Sequence, residues 1–211
     1  MDRSTQIDTF SRFTRVSRET ITSLNKYEDL LISANKNLNL IGKSTIDQIW
    51  HRHFLDSAQV IDFIDKNDKN LADLGSGAGF PGLVIAILAK DRNIPIKINL
   101  IDKSVKKTEF LREIVNELKL DVQVNNQNIL EMENKLNEDL IIARAFKPLE
   151  IILKLMHKKT RNWKKFFIYL GKTGENELLR VSKTWDIKYK KRRSITSVDS
   201  KILEIDDFKK K

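Results

Sequence analysis

A short apolar stretch, Leu71–Leu74, runs into a loop that holds four of the chain's seven glycines, Gly75, Gly77, Gly79 and Gly82, within eight consecutive residues. Glycine is required where the backbone takes positive φ or where another group approaches it closely. A helix predicted from about Pro81 to Lys90 presents unpaired N–H groups toward this loop. Pro81 fits the first turn of that helix, where a missing N–H is no loss. The combination constrains the chain to a strand–loop–helix unit whose turn faces a ligand, because a ligand-free turn seldom needs four glycines.

The same alternation continues downstream. Buried strands are predicted at Ile96–Ile101, Val122–Val124, Leu140–Ala143 and Phe166–Leu170. Between them, Phe110, Leu111, Ile114, Val115 and Leu118 share a helix face, and Pro148 restarts a helix. Ile187–Tyr189 and Ile202–Ile205 read as a terminal antiparallel pair. Strands alternating with helices imply an α/β fold with a mostly parallel sheet covered on both faces. Ligands bind such sheets at the carboxyl ends of the strands.

The first 65 residues read as helical, with Leu24, Tyr27, Leu31 and Ala34 at helical spacing. Asn35–Lys43 reads as a loop. Thr45 with Gln48 reads as a capping box opening a second helix, whose apolar stripe is Ile46, Ile49, Trp50, His53, Phe54, Ile61 and Ile64. The polar run 65–70 is the natural boundary, giving an N-terminal helical extension over 1–68 and a Rossmann-like domain over 69–211.

Composition narrows the function classes. With no cysteine, disulfides, thiolate metal sites and a cysteine nucleophile are excluded, which fits a reducing cytoplasm. Three histidines make a metal cage improbable, so no metal is expected. No apolar run is long enough for a membrane span, and Met1–Phe13 has no signal-like apolar core. A net charge of +10 attracts polyanions, nucleic acid first; a drift toward Lys, Asn and Ile is the other source of such a charge.

Two cofactor classes use the glycine turn. Gly77-x-Gly79-x-x-Gly82 satisfies the dinucleotide fingerprint, with Asp102 about 20 residues on, where a ribose-binding acid sits. Asp73-x-Gly75-x-Gly77-x-Gly79 resembles instead motif I of class I S-adenosylmethionine-dependent methyltransferases. In those proteins the strand-terminal acid, here Asp73, lies near the methionyl amino group, and the acid ending the second strand, here Asp102, binds the ribose hydroxyls. A nicotinamide oxidoreductase would also need a hydride-handling His or Tyr-Lys pair, and none is evident. A non-enzymatic RNA-binding protein on the same fold is the second alternative.

Four segments read together resemble the small-subunit ribosomal RNA methyltransferase G family, also called glucose-inhibited division protein B. They are Asp73–Gly82 with its Phe80-Pro81-Gly82 end, Asn35–Ile41, Arg52–Ser57 and Ile142–Phe146. The similarity runs from about Leu30 to Ile205. It implies methylation of N7 of a guanosine in 16S ribosomal RNA, free or in a small-subunit particle, with S-adenosylmethionine as donor, in the cytoplasm, and with no obligate protein partner. By position it implies that Gly75 and Phe80 line the cofactor, that Ile129 and Leu130 border the adenine, and that Arg144 contacts the cofactor near the substrate. Many relatives carry an acid where Leu130 stands, and here Glu131 follows it. Relatives also carry Lys-Gly after the fifth strand, where this chain has Gly171-Lys172.

No general base is needed for this chemistry, because N7 of guanine carries a free lone pair; the task is alignment. Asp56 and Arg144 are the candidates for a catalytic role, Asp56 as an acceptor that stabilises the charge arriving on the guanine ring. His53 and Asp56 share a helix face by their spacing and either border the pocket or form a packed pair in which Asp56 orients the histidine. Arg144 either serves the ligand or ion-pairs with an acid. Substrate contacts are expected from His53, Lys172, Lys190 and Arg192, the last two within the basic run Lys188–Arg193, whose other reading is a charge-guarded strand edge. Trp50, Trp163 and Trp185 serve either as RNA-stacking platforms or as packing residues.

Overall fold

The computed structural model describes residues 1–211. Seven strands form one sheet: β1 (Asn70–Leu74), β2 (Lys97–Asp102), β3 (Val122–Asn126), β4 (Leu140–Arg144), β5 (Lys165–Leu170), β6 (Trp185–Arg193) and β7 (Lys201–Lys210). Their order is β3-β2-β1-β4-β5-β7-β6. The first five run parallel, whereas β7 pairs antiparallel with both β5 and β6. The order reverses between β1 and β4, which lie side by side with Asp73 opposite Ile142. Such a switch point opens a crevice at the strands' carboxyl ends.

The strands are legible in sequence because both sheet faces are covered. Successive side chains point to opposite faces. Leu71, Leu100, Leu140, Ile142 and Phe167 enter one core with the N-terminal helices. Ala72, Ile101, Ile141, Ala143, Phe166 and Ile168 enter the other. The first core is completed by α1 (Arg3–Thr14), α2 (Arg18–Leu38), α4 (Gly82–Asp91) and α5 (Val105–Glu117), and the second by α6 (Leu149–Lys159) and α7 (Gly174–Val181).

The N-terminal region departs from its sequence reading in two places. Helix α2 runs past Asn35 to Leu38 and ends at Asn39 with φ of 48°. Asn35 does not break it, because its side chain is turned to use: Oδ1 accepts the N–H of Ile41 at 2.8 Å and fixes the chain reversal. The Thr45–Gln48 capping box does not form. Residues Lys43–Gln48 make a 3₁₀ helix capped by Gly42, and the Thr45 hydroxyl donates to the Gly42 carbonyl at 2.8 Å. A π-helical turn, Trp50–Leu55, follows and leads into the short α3 (Asp56–Ala58). Such π turns occur frequently at functional sites.

The tryptophans pack. Trp50 is fully buried, edge-on to Phe10 and Phe54, and its Nε1–H donates to the buried Glu28 carboxylate at 2.9 Å. Trp163 stacks on Phe208, and Trp185 is buried against the same ring. Trp50→Ala is expected to lower stability by about 3–5 kcal/mol, through the cavity left in the core, while Glu28 keeps Arg3 as its partner. A urea unfolding midpoint that stayed at the parent value would contradict this packing role.

Candidate functional site

The loop after β1 is built around Asp73. Its side chain is fully buried, and Oδ2 accepts the N–H of Gly82 at 2.9 Å. A Cβ on Gly82 would sit 2.7 Å from that same oxygen, so only glycine permits the contact. The other oxygen, Oδ1, is buried without a hydrogen-bond partner. Burial raises the Asp73 pKa to about 7, against the lowering effect of the Gly82 N–H. A buried acceptor left without a donor is costly unless a ligand supplies one.

Ser76 staples the loop to the sheet: its hydroxyl donates to the Asp73 carbonyl at 3.0 Å and accepts the Ile101 N–H at 3.1 Å. Gly77, at φ 56°, turns its N–H onto Oδ2 of Asp102, 2.9 Å away at the end of β2. Gly75, at φ 72°, lies against the Phe146 ring, which would overlap any Cβ there. From α2, the buried Tyr27 hydroxyl donates to the Ala78 carbonyl at 2.5 Å. The N-terminal extension therefore holds the loop directly. Phe80 stacks between Tyr27 and His53, with centroids 5.7 Å and 4.9 Å away. Its peptide bond to Pro81 is cis, and Pro81 sits one position ahead of the first helical residue.

These parts frame a cavity of about 510 Å³. Gly75, Gly77, Phe80, Asp102, Ile129, Leu130, Arg144 and His53 all line it. Asp73, fully buried under the loop, is not among the lining residues. Ile129 is buried and Leu130 half exposed, while the Glu131 carboxylate accepts from Asn128 rather than joining the lining. Sequence reasoning missed Leu40, Ile41, Gly42, Ser104, Lys107 and Phe146 as cavity residues. Leu40 and Ile41 lie in the matched segment Asn35–Ile41, and Phe146 ends the matched segment Ile142–Phe146. The segments held that signal although no role was attached to these positions.

At the far edge of the cavity stands Arg144, the last residue of β4. Its Nε forms an ion pair with Oδ2 of Asp56 at 2.9 Å. One terminal nitrogen donates to the Arg52 carbonyl at 2.7 Å, and the other lies 3.3 Å from Nδ1 of His53. Burial, then the charge of Arg144, push the His53 pKa down to about 3, so the ring is neutral at physiological pH. A neutral ring that accepts from Arg144 at Nδ1 carries its proton on Nε2, where Thr45 Oγ1 lies at 2.8 Å. Asp56 thus orients Arg144, not His53. Its second oxygen accepts from Thr196 at 2.6 Å, Gln59 at 3.0 Å and Ser194 at 3.2 Å.

The remaining expected residues lie elsewhere. Lys172 is exposed in the turn between β5 and α7. Lys190 and Arg192, on the edge strand β6, pair with the buried Glu204 carboxylate of β7, and the Arg192 guanidinium also lies 3.7 Å above the Phe63 ring. None of the three lines the cavity. No helix is long and apolar enough to cross a membrane.

The chain matches the family model described as rRNA small subunit methyltransferase G over residues 20–205. It is 41% identical to the ribosomal RNA small subunit methyltransferase G of Pelagibacter ubique, covering 93% of this chain and 92% of that one. It is 34% identical to the protein of the same name from Paramagnetospirillum magneticum, covering 90% of each. Among solved structures it resembles TrmK of M. capricolum in complex with S-adenosyl-homocysteine, with a TM-score of 0.52 and 20% identity over 71% of this chain and 66% of that one. It also resembles the 16S rRNA methylase RmtB, with a TM-score of 0.53 and 15% identity over 91% and 76% of the two chains. At these identities the structural likeness speaks for the fold.

Proposed function

Because the chain belongs to the rRNA small subunit methyltransferase G family, we propose that it transfers the methyl group of S-adenosylmethionine to N7 of a guanosine in 16S ribosomal RNA. The observation that carries this reading is the pair of carboxylates framing the glycine loop, Asp73 with a buried free oxygen and Asp102 at the end of the neighbouring strand. A methionyl ammonium would supply the donor that Asp73 Oδ1 lacks. Ribose hydroxyls suit Asp102, whose two oxygens each take one backbone N–H, from Gly77 and from Ser104, and keep further lone pairs. Ile129 and Leu130 offer an apolar border for the adenine. A cavity of about 510 Å³ falls within the usual range for small-molecule and cofactor sites.

When bound, the donor supplies an electrophilic methyl on a sulfonium. The chain's own task is to hold donor and guanine in line. Neutral His53 is not a base near pH 7, and none is required for N7. Arg144, fixed on three sides, presents a rigid polar edge between the cofactor cavity and solvent. Its charge is matched by Asp56, so the site does not oppose the positive charge that arrives on the guanine ring. The substrate in the cell is 16S rRNA or a small-subunit particle, met in the cytoplasm, and Lys172, Lys190 and Arg192 are proposed as outer contacts to it.

Calorimetry separates the cofactor classes. S-Adenosylhomocysteine is expected to bind and NAD is not; tight NAD binding with no response to the homocysteine compound would overturn the reading. Asp102→Ala is expected to weaken S-adenosylhomocysteine by roughly 10–150-fold, the loss of charge-assisted hydrogen bonds worth about 1.5–3 kcal/mol. Unchanged affinity would remove Asp102 from the ribose site.

A further inference from the structure

On the other side of Arg144 lies a second cavity of about 220 Å³, sharing Arg144 and Ala145 with the first. Its wall is made by Arg52, the Arg144–Asp56 pair and the β6–β7 loop, which contributes Ser197 and Ser200. That loop is folded back on itself, with the Ser194 N–H donating to the Ser200 carbonyl at 3.0 Å and the Ser200 N–H to the Ser197 carbonyl at 3.1 Å. The Ser197 and Ser200 hydroxyls have no hydrogen-bond partner in the protein, and neither has the Arg52 guanidinium, although the Arg52 carbonyl holds Arg144. Lys201 adds a third cation to the wall, shared with Glu175 at 2.7 Å. The one carboxylate in the wall, Asp56, is fully engaged by Arg144, Gln59, Ser194 and Thr196.

We propose that this second cavity is a phosphate subsite, in which the Arg52 guanidinium and the Ser197 and Ser200 hydroxyls grip a phosphodiester of the RNA strand beside the guanosine being methylated. The assignment rests on the rRNA reading above. A guanidinium fork with two unengaged hydroxyls offers several donors at once, suited to the non-bridging oxygens of phosphate. Backbone contacts of this kind set position without reading sequence. Because the subsite and the cofactor cavity meet at Arg144, a phosphate held in the one fixes how far its nucleoside reaches into the other. Arg52, exposed at the rim, is the first of these groups that an incoming strand meets.

The test uses the full chain, with 16S rRNA as the probe and Arg52→Gln and Ser197→Ala/Ser200→Ala as variants. Arg52→Gln is expected to weaken RNA binding by about tenfold and to flatten the slope of log affinity against log salt by about 0.7–0.9. The double serine variant is expected to weaken RNA binding with little change in slope, since no cation is lost. Both are expected to keep the parent melting temperature and the parent affinity for S-adenosylhomocysteine. An Arg52→Gln protein with parental RNA affinity and salt slope would overturn the phosphate assignment. So would variants whose loss appears equally with free guanosine, which carries no phosphate; the cavity would then be a base pocket. A parent protein that neither binds nor methylates 16S rRNA would instead defeat the functional reading itself.

Discussion

Asp73→Asn is expected to weaken S-adenosylhomocysteine binding by roughly 10²–10⁴-fold while leaving the free protein folded. The affinity loss follows from removing one partner of a buried ion pair, about 3–5 kcal/mol. An asparagine carbonyl still accepts the Gly82 N–H, so the loop keeps its anchor, but an amide NH₂ then faces the methionyl ammonium. The stability effect has the opposite sign. In the ligand-free protein burial raises the Asp73 pKa from 3.8 to about 7. Between those values the folded state binds more protons than the unfolded one, so this group's contribution to stability falls as pH rises and is fully lost above about pH 7, on the order of 4 kcal/mol. Asparagine escapes that penalty. At pH 8 the variant is therefore expected to melt no lower than the parent, while at pH 4 the two converge. The parent's affinity for S-adenosylhomocysteine is expected to rise as pH is raised toward about 7 and to flatten above it, and the variant is expected to lose that rise. Calorimetry across pH 5.5–7.5, in steps of about half a unit, reads both. A parent affinity independent of pH would remove Asp73 from the cofactor's ammonium.

The second large effect is expected at Asp56. It is a positioning residue, because it touches Arg144 and does not line the first cavity. Asp56→Ala leaves Arg144 mostly buried with only the Arg52 carbonyl and neutral His53 as partners. It also removes the acceptor shared by Thr196, Gln59 and Ser194, leaving the Thr196 and Ser194 hydroxyls only each other as acceptor. Removing one member of a fully buried pair costs about 3–5 kcal/mol; with some solvent access at this pair, about 2–3 kcal/mol is expected. A displaced Arg144 is expected to slow single-turnover methyl transfer by about a hundredfold, as misplacement of about 1 Å does, with S-adenosylhomocysteine affinity changed much less. Asp56→Glu is expected to recover part of the rate if the charge is what holds Arg144. A variant that is destabilised but transfers methyl at the parental single-turnover rate would reduce Asp56 to a packing role.

How much of this was legible in the sequence differs by element. Strands β1, β2, β4 and β5 were legible because burial on both faces keeps them mostly apolar. By contrast β3, expected as a buried strand at Val122–Val124, is the sheet's edge and has no fully buried residue, since only one neighbour covers it. The glycine loop was legible because its backbone geometry admits few other residues, at Gly75 and Gly82 above all. Helix α7 was not assigned, since Gly174–Val181 makes only two turns and carries a glycine at its start. The break between α1 and α2 also escaped notice: it is made by Arg15 in a left-handed conformation, which no glycine or proline announces. The π turn over Trp50–Leu55 follows from tertiary packing and has no periodic signature of its own.

The site divides along the same line. Asp73 and the glycines were legible because they share one local motif, and Asp102 because it ends the next strand at the spacing the motif sets. His53 and Asp56 were paired by spacing and Arg144 was singled out apart from them. The pairing of Asp56 with Arg144 was not legible, because it joins the N-terminal extension, β4 and the β6–β7 loop. Of the two readings offered for Arg144, the ion pair with an acid is present, and the residue also lines the cavity, where a ligand role stays a proposal. Charge in the basic run said least. Lys190 and Arg192 are drawn inward by Glu204, a residue whose burial at 1% exposure no local pattern of β7 revealed.

The central claim is tested most directly by mapping N7-methylguanosine in 16S rRNA that lacks it, after incubation with this chain and S-adenosylmethionine. Borohydride reduction and aniline-induced strand scission, followed by primer extension, report each modified position. The account predicts one new scission at a single guanosine, absent without the donor and absent with Asp73→Asn at donor concentrations that saturate the parent. An unchanged map, or methyl transfer to the RNA without any N7-specific scission, would contradict it.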